Sequence, residues 1–189
     1  MDIKGTKIPG VLAVHPKLSS DDRRFFSESF SKRTLEQIGI KCDFVQNNHS
    51  FSKKVGTLRG LNFHYPLFAQ AKLVWCGRDA FLDAVVDIRV GSPTFGYWVS
   101  EELIFENGKQ LFVPEGFLHG FVVKVIETEI TYNCNNYYSP EHKDVVDFND
   151  REINIDWGLD LEVVITPSKD GISKSFLDII SPFEFEVKE

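Results

Sequence analysis

Apolar residues in this chain gather in short runs separated by turn signals, not in the three-to-four-residue spacing of an amphipathic helix. From Asp43 to about Thr131, β-branched and aromatic runs are broken by Gly77-Arg78-Asp79, Gly91-Ser92-Pro93, Asn107-Gly108 and Pro114-Glu115-Gly116, combinations that favour tight turns. Evenly spaced strands with no helix between them predict a sandwich or barrel, and a jelly roll is the version expected. Upstream, residues 11–15 (Val-Leu-Ala-Val-His) read as a short strand, Asp21 to Arg24 as a polar turn, and Phe25 to Phe30 as a second strand. Ser31 to Ile40 reads as a short helix, capped by Ser31 and ended at Gly39. Ser139 to Lys174 is polar and turn-rich, with Trp157 among a few apolar anchors, and Ser175 to Ile180 reads as a helical turn or two before Pro182. No repeat, low-complexity tract or linker divides the chain. The expectation is an all-β single domain over residues 1–189, its barrel core at about 43–135, with short peripheral helices.

A length of 189 residues is enough to bury a sizeable core. The 17 Phe, with few helical stripes to carry them, favour broad β surfaces that pack aromatics. A net charge of -7 argues against nucleic-acid binding, which needs a basic surface; a small phosphate-bearing ligand needs only two or three local Arg or Lys. Cys42, Cys76 and Cys134 are odd in number and lack CxxC spacing, so they read as buried free thiols in a reducing compartment. The first sixteen residues lack a signal-peptide core and no stretch reaches membrane-spanning length, which points to a cytoplasmic protein with no membrane partner.

Several blocks, in order, carry a resemblance. Gly56 to Lys72 reads Gly-Thr-Leu-Arg-Gly-Leu-Asn-Phe-His-Tyr-Pro-Leu-Phe-Ala-Gln-Ala-Lys. Before it stand Arg23-Arg24-Phe25-Phe26-Ser27-Glu28-Ser29-Phe30 and Phe44-Val45-Gln46-Asn47-Asn48-His49-Ser50. After it come Val86 to Trp98, Pro114-Glu115-Gly116-Phe117-Leu118-His119-Gly120-Phe121, Tyr132, Tyr137 to His142, Ile155-Asp156-Trp157 and Ser168-Lys169-Asp170. Together they resemble the dTDP-4-dehydrorhamnose 3,5-epimerase family over nearly the whole chain. The resemblance implies a cupin-type β jelly roll, a homodimer, no metal or organic cofactor, and action on a nucleotide-diphosphate-linked 4-keto-6-deoxy sugar, inverting carbons beside the ketone.

That reaction passes through an enolate, so it needs a base, a group that stabilises the enolate oxygen, and an acid on the opposite face. The resemblance assigns Lys72 to the enolate oxygen, Tyr132 to proton donation and Asp170 to orienting the base. The base position, a histidine in the family, is Asn62 here, and an amide has no titrating lone pair at physiological pH. His64 follows two positions later. On one strand the two residues face the same way, with α-carbons about 6–7 Å apart, so His64 is a candidate substitute or simply a polar wall residue. His119 matches a barrel-lining histidine. Arg23 and Arg59 are candidate pyrophosphate ligands through their guanidinium forks; Phe26, Glu28, Gln46 and Asn48 are placed against the nucleotide, and Tyr138 is suited to stack on its base.

Three other readings compete. Asn62 makes a catalytically impaired nucleotide-sugar-binding homologue conceivable, against which Lys72, Tyr132 and Asp170 stand intact. Asn62-x-His64 with Pro114-x-Gly116-x-x-His119 is reminiscent of a metallocupin, although a third ligand is not evident. A sugar ketoisomerase on the same scaffold matches the motif series less closely.

Overall fold

The computed structural model describes residues 1–21, 24–166 and 173–186. Among these residues there are thirteen strands: β1 (Asp2–Gly5), β2 (Leu12–His15), β3 (Leu18–Asp21), β4 (Arg24–Ser27), β5 (Gln46–Ser52), β6 (Leu58–His64), β7 (Lys72–Arg78), β8 (Ala80–Asp87), β9 (Trp98–Ile104), β10 (Gln110–Val113), β11 (Phe117–Val123), β12 (Thr128–Cys134) and β13 (Lys143–Val145). One α-helix, α1 (Lys32–Gln37), follows the β3–β4 hairpin. None of the described helices is long and apolar enough to cross a membrane.

Strands β5 to β12 divide four and four into two antiparallel sheets, β5-β12-β7-β10 and β6-β11-β8-β9. That is the strand order of a jelly roll. The first sheet is extended past β10 by β2 and β1, and the second past β6 by β13. Val74, Phe81, Val85, Leu111, Phe121 and Ile130 belong to the core that the two inner faces enclose.

Both outer faces are covered as well. On the six-stranded sheet, Leu35 of α1 and Ile40 pack with Val14 and Leu73. On the five-stranded sheet the C-terminal tail lays Ile153, Ile155 and Trp157 against Leu58, Leu61 and Leu118. The Trp157 indole donates to the Phe148 carbonyl at 2.9 Å, and Lys124 ties down the Trp157 and Gly158 carbonyls at 2.9 and 2.8 Å. The tail therefore closes a third layer, which its polar, turn-rich reading did not foretell. Coverage on both sides explains why β11 is buried at every position and reads as a continuous run rather than an alternation.

Two local expectations need adjusting. The second strand stops at Ser27, not Phe30, because the chain turns there towards Ser31, whose side chain caps α1 by accepting from the Thr34 amide at 3.3 Å. The helix ends at Gln37, earlier than read. Gly39, at φ +95°, then lets its own amide bond Glu36 and the Ile40 amide reach Leu35 at 2.9 Å, a Schellman close that folds Ile40 onto Leu35.

The stretch that positions the site lies where β6 meets β11. A Cβ on Gly60 would lie 2.5 Å from the Gly120 α-carbon, and one on Gly120 would lie 2.9 Å from the Arg59 carbonyl. Only glycines allow this approach. The register shifts between His119 and Phe121, so that His119 pairs with Asn62 and Phe121 with Arg59. This irregularity leaves Arg59, Asn62 and His64 all lining the space between the sheets.

Candidate active site

A cavity of about 420 Å³ opens between the two sheets, within the usual range of small-molecule sites. Its six-stranded wall is built in two rungs. Lys72 of β7 stands opposite Cys134 of β12, which pairs with Gln46 of β5; two residues on, Val74, Tyr132 and Asn48 repeat the pattern. The facing wall carries Arg59, Asn62 and His64 from β6 and His119 and Phe121 from β11. Gln70, Tyr138 and Lys143 also line the cavity, and Lys143 is the register partner of His64.

The deep end is electrostatically unusual. Lys72 is 8% exposed, and its Nζ lies 3.4 Å from His119 Nδ1. The other nitrogen of that ring, Nε2, lies 2.7 Å from Asp83 Oδ1, and Asp83 has no exposure at all. With the carboxylate accepting from Nε2–H, the Nδ1 lone pair is left to accept from the ammonium. Burial pulls the Lys72 pKa below its usual value, while Cys134 and Asp83 oppose that fall and Lys143 adds to it. A buried cation is thus held by a carboxylate acting through an imidazole.

Tyr132 stands on the same wall as Lys72, one rung along, and faces the opposite sheet; its phenol pKa is raised by burial and by Cys134 against the pull of Arg59. It keeps its proton at neutral pH and is suited to give one. His64 is buried, and among the described residues neither of its ring nitrogens has a hydrogen-bond partner. Burial first, then Lys72 and Lys143, push its pKa down to about 4. Its ring meets Tyr138 edge-on at 5.5 Å.

Arg59, Lys72 and Lys143 bring three cations to the wall, and no Asp or Glu lines it among the described residues. In a chain of net charge -7, such a pocket favours an anionic ligand. The cavity gathers Lys72, Tyr132, Asn62, His64, Gln46, Asn48, Arg59, His119 and Tyr138, nine of the residues expected from sequence. It does not include Phe26, 72% exposed on the β3–β4 hairpin, or Glu28, which accepts from Thr34 Oγ1 at 3.0 Å. Arg23 and Asp170 lie outside the described residues. His64 and His119 do share the cavity, as the metallocupin reading requires, but His119 is engaged by Asp83 and faces an ammonium. Among the described residues no group of three or more His, Cys, Asp or Glu is placed to hold a metal.

Sequence reasoning missed Asp83, Cys134 and Lys143. A signal existed for Asp83, a lone carboxylate in the apolar run Phe81-Leu82-Asp83-Ala84-Val85. None existed for Lys143, which sits in the polar tail.

Comparison with known proteins agrees with this geometry. The family profile described as dTDP-4-dehydrorhamnose 3,5-epimerase matches residues 5–178. The dTDP-4-dehydrorhamnose 3,5-epimerase of Shigella flexneri is 44% identical over 94% of this chain and 97% of its own length. That of Salmonella typhimurium is 49% identical over 80% of this chain and 83% of its own. Among solved structures, the dTDP-6-deoxy-D-glucose-3,5-epimerase of Legionella pneumophila in complex with dTDP-4-keto-L-rhamnose superposes with a TM-score of 0.89 at 39% identity, covering 98% of this chain and 99% of that one. The chain belongs to the dTDP-4-dehydrorhamnose 3,5-epimerase family.

Proposed function

We propose that this member of the family epimerises a dTDP-linked 4-keto-6-deoxy sugar beside its ketone, through an enolate, without a cofactor. The observation that carries the reading is Lys72: an ammonium buried in a cavity with no wall carboxylate among the described residues, and backed by His119 and Asp83. A preorganised donor aimed at a developing oxyanion in such a place contributes about 10²–10³-fold in rate. Tyr132 returns the proton on its own face of the sugar. Arg59, exposed at the rim, takes the pyrophosphate, with Gln46, Asn48 and Tyr138 against the nucleotide.

Phe26 and Glu28 are outside the cavity of their own chain, and an exposed phenylalanine on a projecting hairpin is suited to reach the site of a second copy. The functional unit is then a homodimer. A 21.6 kDa particle at micromolar concentration in light scattering would remove that part of the reading.

Asn62 stands where the family has its base, and a missing positioned base costs about 10²–10⁴-fold. Exchange is therefore expected to be slow and limited to one carbon. Incubation with dTDP-4-keto-6-deoxyglucose in D2O, followed by NMR, tests this. Deuterium at C3 or C5 supports the epimerase. If neither carbon exchanges while dTDP still binds, the chain is a catalytically impaired nucleotide-sugar binder.

A further inference from the structure

His64 is 4% exposed and lines the cavity, and among the described residues both of its ring nitrogens lack a partner. Buried polar atoms in native proteins are nearly always paired, by protein, water or ligand. A neutral imidazole offers one N–H and one lone pair on different edges of the ring, so two hydrogen-bonding positions here are left for whatever fills the cavity.

Its surroundings settle its protonation. Lys72 and Lys143 flank the ring, and with burial they push its pKa to about 4. At physiological pH the ring is neutral, and as a base it is weak, because proton abstraction follows the basicity of the acceptor. His64 is therefore ill suited to replace the missing base at position 62. It is well suited to hold oxygens.

Position along β6 indicates which oxygens. Arg59 is exposed at one end of the strand, Asn62 is half-buried, and His64 is buried at the other end. With a pyrophosphate at Arg59, the part of the ligand that passes inward to His64 is the sugar. We propose that His64 is a sugar-binding residue, donating its N–H to one oxygen of the substrate sugar and accepting a hydroxyl proton on its other nitrogen, and that it thereby selects for a sugar bearing a hydroxyl at that place. A ketone oxygen can meet only the N–H; the lone pair needs an O–H.

This inference rests on the pocket being a nucleotide-sugar site, and calorimetry separates the two. The ligands are dTDP and dTDP-6-deoxyglucose, which has a hydroxyl in place of the ketone and cannot enolise. For His64→Phe, dTDP affinity is expected to stay within about twofold. Affinity for dTDP-6-deoxyglucose is expected to fall about 10-fold or more, the effect of losing one or two buried hydrogen bonds. His64→Gln, which keeps a donor and an acceptor, is expected to recover most of that loss. Should His64→Phe fail to fold, His64→Ala supplies the same comparison. Equal losses for both ligands, or no loss for either, would overturn the sugar assignment while leaving the nucleotide site standing. A fall of 100-fold or more in deuterium exchange at saturating substrate in His64→Gln would mark His64 as the base and overturn it as well. No dTDP binding by the unaltered protein would overturn both the site and this inference.

Discussion

His119 Nε2 lies 2.7 Å from Oδ1 of Asp83, a carboxylate fully enclosed between the sheets, and this contact fixes how His119 presents its other nitrogen to Lys72. Asp83 does not line the cavity. It acts through the ring, as a positioning residue, and supplies the negative charge that supports the Lys72 ammonium.

Replacing Asp83 by Asn tests that role. The amide can turn either its donor or its acceptor to the ring, so the ring orientation is no longer dictated, and the charge that supports Lys72 is gone. The kcat for exchange is expected to fall about 10–100-fold, in line with loss of an orienting partner to an active-site group, with dTDP affinity within about twofold. Because Lys72 then loses its proton more readily, the alkaline limit of activity moves to lower pH. A variant with raised KM, unchanged kcat and an unmoved pH profile would show Asp83 to be merely structural.

Lys72→Met keeps length and volume and removes the charge. Exchange is expected to drop about 10²–10³-fold. Thermal unfolding is expected at a lower temperature, because removing the cation leaves the buried Asp83 carboxylate with only the His119 N–H as its partner. Full activity in this variant would dismiss the enolate role.

Asn62 is the register partner of His119 and lines the cavity. Asn62→His is expected to raise deuterium exchange by up to about 10²–10⁴-fold, or to extend it to the second carbon, by restoring a titrating base. NMR of the sugar after timed incubation reads both outcomes. No gain at either carbon would mean that position 62 does not govern the reaction.

His64 carries a stability consequence that pH unfolding can detect. Its folded pKa is about 4, below the ordinary 6.5, so between those values the unfolded chain takes up the proton first. Relative to His64→Gln, the native protein keeps its full stability above about pH 6.5 and loses it as pH falls towards 4, by up to about 1.4 kcal/mol per pH unit. Denaturant unfolding of both proteins at pH 7.5, 6.0 and 4.5 gives the difference. A difference independent of pH would place the His64 pKa near its ordinary value in the fold.

What was legible in the chain was what local rules control. The Ser31 cap and the Gly39 stop are each decided within a few residues, and the turn signals between strands act over two to four. From these the helix, the strand run and the jelly roll could be read; the ends of elements were misplaced, and the short strands β1, β3 and β13 were not read at all. The quoted motifs likewise pointed to Lys72, Tyr132, Arg59 and His119, which do share one cavity, and period-two alternation placed His64 on the same face as Asn62.

Tertiary structure decided the charges and the partners. Lys72, Asp83 and His119 meet only when β7 of one sheet faces β8 and β11 of the other, so no local pattern could pair them. Lys143 reaches the cavity because a three-residue strand in a polar tail pairs with the edge of β6. Phe26 and Glu28 carry the family motif yet stand outside, since the β3–β4 hairpin joins neither sheet. The state of His64 is the clearest case: its direction follows from strand periodicity, but its neutrality comes from low exposure and two lysines brought close from other strands. Periodicity is a property of neighbouring backbone units and is written in the sequence. Desolvation and Coulomb interaction depend on distances between segments far apart in the chain, and only packing sets those distances.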